Sequence, residues 1–261
     1  MSLGSLRVDA LRWNAEGDTV FAALYDYAGG DGVVGTIAYP SGAFREIHRG
    51  PGILSLASIA VTPPGPVWLE NASDAFELWT EHASGVHRLA ILPGNVVNLR
   101  ATGEEILALE PTSNGRIVRV ALGGGSVVFE PVVASTELIE SFDLDSAGNL
   151  VYSVSDGPGT ATFFEMRTAS GTVRIQPSGR LVGGPFFGPD PGLIYYEDHD
   201  QGAVLAVDPT TGERSTILAV DASEPAFSAG GILAHTGVSP ERVQEVCFAT
   251  PAGAYSTPTV T

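Results

Sequence analysis

Lysine is absent from this sequence of 261 residues, and all 13 basic side chains are arginines. Aspartate and glutamate together number 30, so the formal net charge at pH 7 is −17. A chain of this charge repels the phosphates of nucleic acids and of anionic lipid headgroups. We therefore expect neither nucleic-acid binding nor membrane binding, and we interpret the charge as favouring solubility.

Cysteine is almost absent as well, because Cys247 is the only one. No internal disulfide can form, so the fold does not depend on an oxidising compartment. The sequence also lacks an apolar run of 18 residues, and its first residues lack the apolar segment of a signal peptide. These absences predict a cytoplasmic protein. The alternative is an exported protein whose signal peptide has been removed.

Helical periodicity is missing too, since 32 glycines and 18 prolines recur too often for long helices. The sequence instead contains six copies of a repeat of about 42 residues. One series of turns ends in glycine, at Gly42, Gly85, Gly125, Gly171, Gly212 and Gly253. A second glycine-containing turn precedes the most apolar strand of each repeat, at Gly17, Gly65, Gly103, Gly148, Gly192 and Gly231.

Four short strands lie between these turns in every repeat, and the second is the most apolar, as in Val20–Leu24. A strand that neighbouring sheets cover on both faces needs this continuous apolar character. We therefore predict an all-β fold, a six-bladed β-propeller with four antiparallel strands per blade. Residues 1–5 are predicted to be a disordered start, and the single domain 6–261 to have blades at about 6–50, 51–93, 94–136, 137–179, 180–220 and 221–261.

Each predicted blade is one contiguous segment, because the first repeat begins near Leu6 with its innermost strand and the last ends near Val260 with its outermost. No strand remains for a blade shared between the two ends of the chain. We therefore predict an unlatched ring, closed by packing of the first blade against the sixth, and expect that contact to be the weakest seam. Two β-sandwich domains are the disfavoured alternative, since a sandwich needs no six phased repeats.

The turn between the first and second strands has a recurring pattern. It reads WNAEGDTVF at 13–21, LDSAGNLVY at 144–152, FGPDPGLIY at 187–195 and FSAGGILA at 227–234. These segments resemble the apolar-Ser-Pro-Asp-Gly signature of the WD40-like repeats in TolB propellers and in the propeller domain of the prolyl oligopeptidase family. The resemblance implies a six-bladed protein-interaction platform, or an unlatched propeller that caps a separate α/β-hydrolase domain and filters its substrates.

The sequence lacks the Gly-x-Ser-x-Gly motif that carries the nucleophile of many serine hydrolases. The nearest segment, Gly124–Val127, falls at a blade hairpin. We therefore predict no catalytic residue and no cofactor in this chain, and a non-catalytic role in binding or gating. Its partner would be an α/β-hydrolase domain of a serine peptidase, or another protein or peptide.

The alternative function is a metal-dependent small-molecule enzyme, a lactonase or a lyase, with its site in the central channel. The five histidines lack metal-ligand spacing. Pro64 stands where lactonases of the regucalcin type, which Gly65–Trp68 resembles, have a metal-binding glutamate. A weak metal-site candidate is the hairpin with Asp198, His199 and Asp200, since oxygen-rich turns can hold Ca²⁺. A solvated acidic turn is the simpler interpretation.

The innermost strands converge on the channel, so their polar residues are the best candidates for a ligand site. By repeat alignment the positions at the channel mouth are Asp9, Ser58, Asn95, Glu140, Gly184 and Glu224, with Arg12, Asn98 and Asp143 deeper. The three acids at the mouth predict a preference for a cation or a basic peptide terminus. Alternatively Arg7, Arg12 and Arg100 pair with the acids, and the channel holds only water.

Overall fold

A computed structural model describes most of the chain, and the described residues form six antiparallel sheets of four β-strands each. No helix that could cross a bilayer is found in the described part of the chain. The described residues are 6–51, 59–72, 75–103, 105–112, 115–123, 126–155, 163–179, 181–219, 223–238, 244–250 and 255–256.

The strands follow one another in chain order, four to a sheet. The first three sheets contain β1 (Leu6–Trp13), β2 (Thr19–Asp26), β3 (Asp31–Ala38), β4 (Phe44–Gly50), β5 (Ile59–Thr62), β6 (Gly65–Ala72), β7 (Ala75–His82), β8 (Gly85–Ile91), β9 (Val97–Thr102), β10 (Glu105–Glu110), β11 (Arg116–Gly123) and β12 (Ser126–Ala134). The last three contain β13 (Leu138–Leu144), β14 (Leu150–Ser155), β15 (Phe163–Thr168), β16 (Gly171–Ile175), β17 (Phe186–Phe187), β18 (Ile194–Asp198), β19 (Ala203–Val207), β20 (Arg214–Leu218), β21 (Ser223–Phe227), β22 (Leu233–Val238), β23 (Gln244–Ala249) and β24 (Tyr255–Ser256).

Each sheet pairs only strands that are consecutive in the chain, so every sheet is a meander. The first strands of neighbouring sheets contact one another, β1 with β5, β5 with β9, β9 with β13 and β13 with β17, and β21 lies beside β1. The first strands therefore surround the central axis. This arrangement confirms the predicted all-β six-bladed propeller.

An apolar cluster fills each of the six spaces between neighbouring blades. The second strand of the first blade shows how the pattern arises, because its side chains alternate between the two faces. Ala22 and Leu24 pack towards the sixth blade, whereas Ala23 between them packs towards the second blade. A strand buried on both faces must be apolar at consecutive positions, and this requirement explains the apolar second strands of the repeat.

The ring closes where the first blade packs against the sixth, and side chains make this contact. Phe248 of β23 is 1% exposed and packs against the rings of Trp13 and Tyr39, with centroids 5.6 and 5.0 Å away. The indole Nε1 of Trp13 donates a buried hydrogen bond of 2.9 Å to the carbonyl oxygen of Ala226 in β21. No sheet of the described residues contains strands from both ends of the chain. The predicted unlatched closure is therefore confirmed.

Candidate functional site

The channel opens into a cavity of about 980 Å³ at the end where the first strands finish. Turns between first and second strands surround this channel cavity, and all six blades contribute to its lining. Its volume is at the upper end of the range for small-molecule pockets. A cavity of this volume is large enough for a short peptide segment. Aromatic and proline side chains form much of its wall, among them Trp13, Phe21, Phe186, Phe187, Pro189 and Phe227.

Side-chain hydrogen bonds fix two of the turns around the cavity. The Oδ1 atom of Asn14 accepts hydrogen bonds from three backbone N–H groups, those of Gly17, Asp18 and Thr19. Asp145 occupies the corresponding place in the fourth blade, and its Oδ1 accepts from the backbone of Ala147 and Asn149. Such Asx turns hold the backbone in a set conformation. The cavity wall is therefore preformed at these two blades.

An extra residue interrupts the pairing of the first strand in four blades. The interruptions lie at Asp9, at 98–99, at 140–141 and at 224–225. Asn98 and Glu224 both have a φ of 53°, which is uncommon for residues other than glycine. β-Bulges of this kind redirect side chains and are frequent beside functional sites. Three of the predicted mouth residues, Asp9, Glu140 and Glu224, therefore occupy equivalent structural positions.

The remaining predicted mouth positions have different surroundings. Asn98 takes the equivalent bulge position in the third blade, while Asn95 lies exposed before β9. Ser58 lies outside the described residues. A Cβ atom on Gly184 would come within 2.4 Å of the Oγ atom of Ser141, so this position needs glycine for a close approach between the fourth and fifth blades. Asn95, Asn98 and Gly184 do not line the channel cavity.

Two of the three arginines near the channel are paired with acids. Asp9 is buried, and its Oδ1 accepts a hydrogen bond of 2.7 Å from Nε of Arg7. Arg100 donates from Nε to Oδ1 of Asp143 at 2.5 Å and from Nη1 to Oδ1 of Asn98 at 2.5 Å. The pairing predicted as an alternative to ligand binding is thus present for Arg7 and Arg100.

Arg12 differs from those two arginines, because its guanidinium has no ion pair within the described residues. Its Nη1 donates to the carbonyl oxygen of Leu11 at 2.5 Å, and its Nε is buried without a hydrogen-bond partner. Burial, and secondly the nearby positive charge of Arg100, lower the pKa of Arg12 to about 9. A pKa of about 9 still leaves the guanidinium protonated at neutral pH. The channel cavity is therefore lined by a cation with unused donors.

The acidic hairpin of the fifth blade points its side chains in different directions. Asp198 is fully buried, and its two carboxylate oxygens accept hydrogen bonds from Ser178 and from Gln201. His199 lies 3.5 Å from a carboxylate oxygen of Glu197 instead. The described residues include no group of three His, Cys, Asp or Glu side chains placed to hold a metal ion. Asp198 therefore has a structural role in closing this hairpin.

Glu224 should make the stability of the protein depend on pH. Burial raises the pKa of its carboxyl group, and the charges of Arg12 and Arg100 only partly oppose this effect. Above the unfolded-state pKa of 4.5 the unfolded chain releases a proton that the folded chain retains. The free energy of unfolding therefore falls as pH rises through this window. We expect Glu224→Gln to remove this component of the pH dependence.

Urea denaturation of wild type and Glu224→Gln between pH 4 and pH 8 measures this effect. The stability of the variant relative to the wild type should increase as pH rises above about 4.5. Burial also lowers the pKa of His235. This histidine is present in both proteins, so its contribution cancels in the difference. A stability difference that does not change with pH would contradict the prediction.

Repeat alignment named Arg12, Asn98 and Asp143 as deeper channel residues. In the structure Arg12 and Asp143 line the cavity, and Arg100 donates hydrogen bonds to both Asp143 and Asn98. The sequence did not reveal the aromatic wall. Phe186 and Phe187 form a first strand of only two residues, too short for a strand pattern to be recognised. Phe227 stands in a repeated turn segment, at the position that the repeat keeps apolar. This recurrence was the available signal.

No protein-family model matches this sequence, and neither does any curated protein. Solved structures do resemble it in fold. The β-propeller domain of the Trilobed protease from Pyrococcus furiosus, described as having an open velcro topology, matches 98% of both chains with 11% identity and a TM-score of 0.67. A putative TolB from Agrobacterium tumefaciens matches 83% of this chain and 84% of its own, with 13% identity and a TM-score of 0.62.

A structure from a study of two prolyl endopeptidases matches 95% of this chain with 13% identity and a TM-score of 0.54. This chain spans only 40% of that protein. At these identities the similarities establish a shared fold and do not assign a family. The chain is therefore a six-bladed β-propeller, distantly similar in structure to the propellers of TolB and of these peptidases.

Proposed function

We propose that this propeller is a non-catalytic binding or gating domain whose ligand is a peptide segment in the channel cavity. The observation that carries the proposal is the cavity itself, with its aromatic and proline wall and a few fixed polar groups. Ligand sites are typically concave and mostly apolar, with a small number of placed polar groups. The missing Gly-x-Ser-x-Gly motif supports a role without hydrolysis by this chain.

The proposal has two forms, which differ in the partner of the propeller. Fold similarity to the Trilobed protease and prolyl endopeptidase propellers supports a domain that gates an adjacent hydrolase. Fold similarity to TolB supports a separate interaction module. A Gly-x-Ser-x-Gly hydrolase sequence directly downstream in the same gene would favour the first form, and its absence would favour the second.

Thermal unfolding in the presence of peptides tests the binding role. The probes are two pools of N-acetylated tetrapeptides of alanine, phenylalanine and proline, one with free C-terminal carboxylates and one with C-terminal amides. A ligand at about 100 times its Kd stabilises the folded state by about 2.7 kcal/mol, which raises Tm by several degrees in a domain of this size. We expect at least one pool to raise the Tm of the wild type.

A matched pair of variants localises the binding. Ala147 is exposed, lines the channel cavity and donates its backbone N–H to Asp145 in an Asx turn. Ala28 is exposed and has the same relation to Asp26, but in a turn that does not line the cavity. We expect Ala147→Trp to abolish the shift and Ala28→Trp to preserve it. An unshifted wild type, or equal shifts in both variants, would contradict the proposed function.

A further inference from the structure

Some of the charged groups near the channel form ion pairs with other described residues of the chain, and others do not. Asp143 is committed through both oxygens, since Oδ1 accepts from Nε of Arg100 and Oδ2 accepts from the backbone N–H of Phe187 at 2.8 Å. Asp9 accepts from Arg7. The contacts of Asp143 connect the third, fourth and fifth blades, whereas the Arg7–Asp9 pair lies within β1.

The acids that line the cavity do not neutralise Arg12. Asp145 uses its carboxylate oxygens for the backbone of its own turn and for the side-chain amide of Asn149. Glu16 lines the cavity from an exposed turn, and it makes no ion pair with a described residue. Asp143, which lines the cavity, and Glu224, which does not, attract Arg12 electrostatically without a hydrogen bond or an ion pair to it. Arg12 thus lines the cavity as a cation whose guanidinium forms no ion pair with a described acidic residue.

A guanidinium in this state favours an anion from outside the chain. Burial has removed water from its Nε, which has no acceptor, while its Nη1 donates to the carbonyl oxygen of Leu11. Leaving a buried donor unsatisfied is costly, and a carboxylate satisfies two guanidinium N–H groups at once because the two planar groups match. Arg12 therefore offers a preformed site for one carboxylate at the channel end.

We propose that Arg12 binds the C-terminal carboxylate of a peptide whose apolar side chains contact the aromatic wall of the channel cavity. This inference rests on the proposed function, and it adds the ligand group and the residue that recognises it. The cavity that Arg12 lines is also lined by Phe186, Phe187 and Phe227, which suit apolar side chains. The net charge of −17 repels polyanions at long range, so a ligand with a single carboxylate fits better than a polyanion.

The test compares the concentrations of the two tetrapeptide pools that give half of the maximal Tm shift. A third pool, of C-terminal amides with glutamate as the last residue, offers the carboxylate on a side chain instead. We expect the amide pool to require about 10 to 100 times the concentration of the acid pool, the usual worth of a charged hydrogen bond. Arg12→Met should remove this preference.

Arg7→Met is the matched control, because Arg7 lies on the same strand at the other end of the channel and pairs with Asp9. It should keep the preference for the acid pool. Arg12→Met should fold, because Arg12 makes no ion pair with a described residue and its side chain makes one described hydrogen bond, to the carbonyl oxygen of Leu11. The comparison of acid and amide pools in the wild type tests the proposal even if this variant fails to fold.

The outcomes separate this inference from the proposed function. Stronger binding of the acid pool that Arg12→Met abolishes supports both. If the glutamate pool binds as tightly as the acid pool, carboxylate recognition by Arg12 stands with a side chain as the source. Equal binding of acid and amide pools overturns the inference and leaves the binding function intact. No binding of any pool overturns both.

Discussion

Replacing Phe248 by alanine should lower the free energy of unfolding by about 3–5 kcal/mol, the usual cost of truncating a buried phenylalanine. Phe248 is 1% exposed and packs between Trp13 and Tyr39 at the contact of the first and sixth blades. The backbone does not bridge this contact, so lost packing there cannot be offset by a hydrogen-bonded ladder. Urea denaturation followed by circular dichroism measures the change.

Phe164→Ala is the matched control for the seam. Phe164 is also fully buried, but it lies in the cluster between the fourth and fifth blades, which the chain connects directly. If the closing contact is the weakest seam, hydrogen exchange in Phe248→Ala should increase mainly in the first and sixth blades. A loss below about 1 kcal/mol, well under the cost of such a truncation, would show that Phe248 does not hold the ring closed.

Replacing Arg100 by methionine should lower the free energy of unfolding by about 2–3 kcal/mol. Removing one member of a fully buried ion pair costs about 3–5 kcal/mol, and the slight exposure of Arg100 and Asp143 reduces this value. The change leaves the carboxylate of Asp143 with the backbone N–H of Phe187 but without its ion-pair partner. Denaturation in urea at pH 7 tests it.

Arg45→Met is the control for Arg100, because Arg45 pairs with Glu81 on the exposed surface. Exposed pairs contribute about 0.2–1 kcal/mol, so Arg45→Met should change stability far less. Similar losses of unfolding free energy in the two variants would mean that the interior Arg100–Asp143 pair stabilises the fold no more than an exposed pair does. High salt should weaken the Arg45 pair more than the Arg100 pair, since solvent ions reach it more easily.

The architecture could be predicted from the sequence because its cause is local and repeated. A glycine turn before each apolar strand marks a sharp reversal, and at Gly17 and Gly148 the structure has the positive φ that glycine allows, 74° and 81°. Six repeats of this pattern define six blades. Unlatched closure followed from counting, since no strand was left to be shared between the first and last repeats.

The site was less predictable, because register along a strand depends on contacts that the sequence does not display. Repeat alignment named Asn95, whereas the bulge places Asn98 at the equivalent position. One extra residue turns every later side chain of a strand to the other face. The sequence suggested that Arg7, Arg12 and Arg100 could all pair with acids. Arg7 pairs with Asp9 within β1, and the packing of the third blade against the fourth brings Arg100 to Asp143, whereas Arg12 forms no ion pair with a described residue.

Side-chain closure of the ring has a mechanical consequence. A tether on β1 and another on β24 would pull directly on the first and sixth blades, which meet at the Trp13–Phe248 contact. Such a load would separate an apolar surface and one indole hydrogen bond, instead of shearing a ladder of backbone hydrogen bonds in parallel. Apolar contacts break over short extensions. A force applied across the two ends should therefore open the ring at this contact.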